Sequence, residues 1–139
     1  MPQPLEAACR CGETVLRIHG EPLVQLYCHC DDCQAAHAAA YVPAAIFPAE
    51  AVQVSEGNLR AMVVRTTPRM HCHACGTYLF AEIAEHGLRS LSAYLLPKGM
   101  FRPRFHVQCQ YALLPVVDAL PHYQGFPAAF GGAETFVEW

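Results

Sequence analysis

The stretch Cys28-His29-Cys30-Asp31-Asp32-Cys33 decides how the rest of this 139-residue chain is read. Three thiols within six residues are not a routine feature of a reduced protein core. All three can face one point if a strand ends at Cys28 and a helix begins near Cys33. That arrangement supplies three ligands and no obvious fourth, and a tetrahedral metal held by three protein groups keeps one position for water or substrate. The trio therefore reads as the working site, with most of the other cysteines as its support.

Working outward, two further groups share a different signature. Cys9-Arg10-Cys11-Gly12 and Cys72-His73-Ala74-Cys75-Gly76 each close on a glycine. A glycine directly after the second thiol suits a tight knuckle, because a backbone at positive φ can turn amides toward the sulfurs. Two such knuckles complete a four-thiolate site that is coordinatively closed, and hence structural, across about 60 residues of chain. Disulfides are the weaker reading, since Cys-x-Cys bridges are strained and a reducing compartment favours metal. The expectation is two zinc ions per chain. Cys9, Cys11, Cys72 and Cys75 hold the structural ion, and Cys28, Cys30 and Cys33 hold the working one.

His37 follows Cys33 by four residues, on the same helical face, and is the candidate that would close the trio into a second structural site. A redox role for Cys30 and Cys33 lacks the surrounding βαβ pattern. His29, His71 and His73 read as exposed spacers or as donors that orient ligands. The histidines otherwise show no metal spacing such as H-x-x-x-H. Cys109 reads as a small buried strand residue, and Arg60, Arg65, Arg69, Arg102 and Arg104 as solvated charges.

Charged residues are 15% of the chain, against about 25% in ordinary domains. Hydrophobic residues are 53%, which excludes intrinsic disorder. The formal charge is −3; seven thiolates set against two divalent ions would take it to about −6. With no Lys/Arg run, nucleic acid is excluded as a partner. The first residues resemble no secretory signal, and no apolar run approaches the roughly 20 residues that span a bilayer. No membrane association and a cytoplasmic location are expected; the oligomeric state is left open.

Eleven prolines and nine glycines favour short strands and turns over long helices. Thr14–His19 and Leu23–Cys28 are predicted as a hairpin about Gly20-Glu21-Pro22. A short helix is predicted over Gln34–Ala40, capped by Asp31 or Asp32 and limited by Pro43. Ala44–Phe47, Val52–Glu56 and Leu59–Thr66 read as strands, with Glu56-Gly57-Asn58 as a hairpin turn. Tyr78–Ile83 and Leu88–Leu95 follow about Glu85-His86-Gly87, then Phe105–Gln110, then a loop-rich tail whose aromatics pack over the sheets. The expected fold is a single mainly β domain over residues 1–139 with one short helix after the trio.

The run C-x-C-G, C-H-C-x-x-C, C-x-x-C-G resembles the glutathione-dependent formaldehyde-activating enzyme (GFA) family, which also includes centromere protein V. Gly76-Thr77-Tyr78-Leu79 is similar to that family's G-[ST]-x-L, Arg104-Phe105-His106-Val107 to its late P-x-x-H-I segment, and Leu120-Pro121-His122-Tyr123 to its closing L-P-x-[YF]. The resemblance implies a small zinc-stapled domain of stacked antiparallel sheets, with the same division of cysteines between structural and catalytic zinc. It implies carbon–sulfur lyase-type chemistry on a small-molecule thiol or thiol–aldehyde adduct such as S-hydroxymethylglutathione. The chain departs from the family after the trio. Where members often read C-R-R-x-x-G, this sequence has Cys33-Gln34-Ala35-Ala36-His37, which removes charge that could meet a glutathione carboxylate. The alternative is a non-catalytic, zinc-stabilised binding module whose trio is closed by His37 or by a partner.

Overall fold

Leu16 and Ile18 alternate with exposed Arg17, and this period-2 pattern buries both apolar side chains on one face of a strand. The computed structural model describes residues 3–139. Their strands are β1 (Leu5–Ala8), β2 (Val15–Ile18), β3 (Val24–Cys28), β4 (Val42–Pro48), β5 (Val52–Glu56), β6 (Leu59–Val64), β7 (Thr67–Cys72), β8 (Tyr78–Ile83), β9 (Leu88–Ser92) and β10 (Phe105–Val107). One α-helix, α1 (Asp31–His37), joins β3 to β4. The protein is mainly β with one short helix, and no described helix is long and apolar enough to cross a membrane.

The chain forms two compact units, one of residues up to Val24 with Ala45–Phe101, the other of Gln25–Ala44 with Arg102–Trp139. In the first, β1, β2 and β5 make an antiparallel sheet in that order. The consecutive strands β6 to β9 make an antiparallel meander. Leu16, Phe47, Val52, Leu79, Phe80 and Leu91 form the centre of its core. Fully burying side chains of this size stabilises by about 1.5–3 kcal/mol each. In the second unit β3 and β10 run parallel, pairing Leu26 with Phe105, Tyr27 with His106 and Cys28 with Val107.

Several local expectations are corrected. The hairpin over residues 14–28 does not form: β2 pairs with β1 and β5, and β3 with β10. Both ends of the Gly20-Glu21-Pro22 turn bond elsewhere, His19 N–H to the Ala51 carbonyl at 2.8 Å and Leu23 N–H to the Ile46 carbonyl at 2.7 Å. Glu56-Gly57-Asn58 is likewise a crossing from one sheet to the next. Gly57 has φ +88°, and a Cβ there would lie 2.6 Å from the Glu13 carbonyl oxygen, so only glycine fits. Strands β1 and β7 were not expected; Leu5–Ala8 has no β-branched residue to signal one.

The helix runs from Asp31 to His37 and is capped by neither aspartate. The Cys30 sulfur accepts from the Cys33 N–H at 3.3 Å and takes the cap position, which leaves Asp31 and Asp32 in the first turn where the helix dipole favours them. Ala38, at φ 48°, ends the helix well before Pro43. Arg69 is 5% exposed rather than solvated, because β7 lies between β6 and β8. Gln108, in the left-handed region, ends β10 early, so buried Cys109 opens a 3-10 turn instead of continuing a strand.

Candidate functional site

The first cysteine group is built by two glycine knuckles. Gly12 and Gly76 have φ of +86° and +79°, and the turns they permit bring the sulfurs of Cys9, Cys11, Cys72 and Cys75 within 4.8 Å of one another. Cys9 and Cys11 Sγ are 3.5 Å apart and Cys11 and Cys72 Sγ 3.9 Å. Sulfurs about 2.3 Å from one tetrahedral zinc would be about 3.8 Å apart, so the donor set fits that ion. Donors surround it as well. Thr14 N–H points at Cys9 Sγ (3.3 Å), and the Thr77 hydroxyl lies 3.0 Å from Cys75 Sγ. The Thr77 side chain is the first cause that lowers the Cys75 thiol to about 5. At Cys75 this favours the thiolate, the form that binds metal; at Cys11 the Glu13 backbone works the same way, but the neighbouring Cys9 and burial push the thiol up to about 12.

The trio is assembled differently. Cys28 ends β3, held in register by β10; Cys30 caps α1 and Cys33 lies in its first turn. Their sulfurs also lie within 4.8 Å of one another, all partly exposed, and His37, at the far end of α1, is not in this group. Hydrogen bonds from Cys30 and Cys33, then desolvation, push the Cys28 thiol up. Three thiols crowded together resist ionising together unless a cation compensates, and this donor set suits a soft-tolerant ion such as zinc. Gln34 braces the turn: its Nε2 donates to the carbonyls of His29 (2.7 Å) and Tyr111 (2.8 Å).

His29 is not an exposed spacer. It is 1% exposed, its N–H bonds the Val107 carbonyl, and its ring stacks on Tyr41 with centroids 4.8 Å apart. Its Nε2 lies 2.8 Å from Nδ1 of His106, whose Nε2 lies 2.7 Å from Asp118 Oδ2. Desolvation, then His106 and His122, lower His29 to about 4, so it is neutral at physiological pH. Burial works against the Asp118 carboxylate, but hydrogen bonds from His106 and the Leu120 N–H hold its pKa below the ordinary range. The sequence reading missed this network. Its signal was the His in the late segment combined with Asp118-x-x-x-His122, a spacing an all-histidine search overlooks. His71 is half-buried, with Nδ1 3.2 Å from the Arg69 carbonyl, and His73 is exposed.

A crystal structure of a Rhodobacter sphaeroides protein, a structural-genomics target, is similar to this chain with TM-score 0.56 and 20% identity. The match covers 68% of this chain and 89% of that one, and at this identity it bears on the fold alone. Among curated proteins none matches the sequence. Residues 4–111, which include all seven clustered cysteines, match the family described as glutathione-dependent formaldehyde-activating enzyme. The three cysteine clusters read from the sequence and the sulfur groups seen in the fold meet in that match, and the chain belongs to the glutathione-dependent formaldehyde-activating enzyme family.

Proposed function

We propose that residues 1–139 act as a single GFA-type domain, a zinc-dependent carbon–sulfur lyase that makes or cleaves the adduct of a small-molecule thiol and an aldehyde. The observation that carries this reading is the contrast between a four-sulfur group and a three-sulfur group in one chain. Bound by the trio, zinc would supply an open position able to take a substrate sulfur as thiolate or to polarise an aldehyde oxygen. In the forward direction a carbon–sulfur bond forms, and the thiol proton ends on the former carbonyl oxygen.

The chain's own residues divide the remaining work. Cys28, Cys30 and Cys33 act as ligands, and their thiolate character favours exchange of a sulfur partner over strong activation of water. Asp31 and Asp32, between two ligands in sequence and in the first turn of α1, are placed to carry the proton. Gln34, standing where family members often carry a basic residue, spends its amide N–H groups on two carbonyls of the fold. A glutathione carboxylate therefore loses one expected partner, and smaller or less anionic thiols fit this site better. The setting is read as cytoplasmic, where thiols stay reduced.

The test is elemental analysis of anaerobically purified protein, followed by exchange NMR of glutathione or cysteamine with formaldehyde. Two zinc ions per chain and faster adduct exchange are expected. If zinc is present at both sites, exchange is unchanged and added thiol leaves the spectrum of cobalt at the trio unmoved, the lyase reading fails. A non-catalytic module closed by His37 or by a partner would then stand in its place.

A further inference from the structure

A second group of metal-binding side chains lies outside the cysteine clusters. His106 in β10 forms a parallel bridge with His122: His106 N–H bonds the Pro121 carbonyl (2.9 Å) and Tyr123 N–H bonds the His106 carbonyl (3.0 Å). In-register neighbours on adjacent strands project side by side, and the two imidazole centroids are 4.7 Å apart. Asp118, four residues before His122, reaches both rings. Its Oδ2 is 2.7 Å from His106 Nε2, and its Oδ1 is 2.9 Å from His122 Nε2. One ligand atom from each of the three residues lies within 4.8 Å of the others.

Only one of these two contacts is a hydrogen bond, that between His106 Nε2 and Asp118 Oδ2. Nε2 of His122 is buried and, despite its 2.9 Å approach to Asp118, is out of line for a hydrogen bond and has no other partner. A buried polar atom left in this way has lost its water without a partner in return. The 2.9 Å between His122 Nε2 and Asp118 Oδ1 falls instead within the roughly 2.8–3.6 Å that separates two atoms bound about 2.0–2.2 Å from a shared ion at 90–110°. The surroundings also suit ligation, since a metal-bound imidazole donates its other N–H and a bound carboxylate is itself hydrogen-bonded. His106 presents its other nitrogen to His29 Nε2 at 2.8 Å, Asp118 Oδ1 accepts the Leu120 N–H at 3.0 Å, and the Trp139 ring lies 4.6 Å from that of His122.

We infer that His106, His122 and Asp118 form a third metal site, for a divalent first-row transition ion such as Zn²⁺ or Co²⁺, separate from the two cysteine clusters. Two imidazole nitrogens and one carboxylate make a borderline donor set that disfavours Ca²⁺ and Mg²⁺, which prefer oxygen alone. Three protein ligands leave positions for water. The site requires His106 in the tautomer that frees Nε2 and donates from Nδ1 to His29.

The experiment loads the full chain with two equivalents of zinc, which the thiolate clusters take in preference to the N/O group, then dialyses it to equilibrium against Co²⁺. One further equivalent is expected, with d–d absorption and no sulfur-to-cobalt charge-transfer band. Proton NMR should show a hyperfine-shifted imidazole N–H from each of His106 and His122. Asp118→Asn and His122→Gln, which change partly exposed groups, should each lose the extra equivalent while the zinc content of the parent is kept. The inference is overturned if no further cobalt binds, if it binds with a charge-transfer band, or if both variants retain it. Should a variant fail to fold, the wild-type NMR decides, and absence of either shifted imidazole resonance overturns the site. None of these readouts depends on lyase activity, so the two proposals fail separately.

Discussion

The two cysteine clusters offer the same donor atom and differ in how the backbone delivers it. In the four-sulfur group, glycines at positive φ fold two knuckles, and two of the four cysteines, Cys9 and Cys72, are buried in the core of the first unit. In the three-sulfur group no glycine is used, no cysteine is fully buried, and a strand end and a helix start meet instead. A complete donor set anchored on two buried sulfurs, with Cys11 and Cys75 exposed, suits a group that holds the chain under the proposed reading. Partial exposure and a missing ligand suit one that must exchange its fourth partner. Thiol count and backbone delivery therefore change together between the two.

The sharpest way to break this contrast is to remove one sulfur from each side. Cys72 is 2% exposed and belongs to the first unit's core. Structural zinc sites hold about 10–16 kcal/mol of apparent binding free energy, as much as a whole domain's net stability. Cys72→Ser should therefore cost the fold, seen as lost β-type circular dichroism and zinc content near zero. A folded Cys72→Ser protein would show that the first group is dispensable.

Cys28→Ser should act locally. The variant should keep its β signal and one zinc ion, and lose thiol–aldehyde exchange altogether. Unfolding of Cys28→Ser would move the trio into the structural class and erase the division between the clusters.

A smaller effect sharpens the comparison from the trio's scaffold. Gln34→Ala deletes both hydrogen bonds that the side-chain amide donates to the carbonyls of His29 and Tyr111. Groups that orient ligands are worth about 10–100-fold in metal affinity. Competition with a chromophoric chelator should show that loss at the trio alone. An equal loss at Cys9, Cys11, Cys72 and Cys75 would contradict a local brace.

Much of this is legible in the sequence. The Cys-Gly endings marked the knuckles because the requirement for positive φ is written in one residue. Strands Val52–Glu56 and Tyr78–Ile83 followed from apolar pattern and turn residues. What could not be read was pairing. Gly20-Glu21-Pro22 and Glu56-Gly57-Asn58 turn the chain, but whether a turn closes a hairpin depends on bonds to residues distant in sequence. The parallel pairing of β3 with β10 spans 79 positions from Leu26 to Phe105 and leaves no local trace. The same holds for the His106–Asp118–His122 group, whose members are joined by that pairing and a bridge. Burial of Arg69 was hidden for a related reason, since Thr67–Cys72 was read for its terminal cysteine and not as a strand between two others.

The eighth cysteine gives the smallest effect and the cleanest control. Cys109 is 3% exposed, and desolvation first, then the nearby Asp118 carboxylate, push its thiol up to about 12. Its unfolded counterpart titrates near 8.5. Above that pH the unfolded chain releases a proton that the folded chain retains. By linkage the stability from this group is complete below about 8.5 and falls as pH rises toward about 12. Iodoacetamide at pH 8 on metal-loaded protein should leave Cys109 unmodified, while removing metal should open the two exposed cysteines, Cys75 first because its thiol is lowered to about 5, then Cys11. Labelling of Cys109 ahead of them would make it a reactive thiol, and reactivity would then no longer distinguish the clusters from the core.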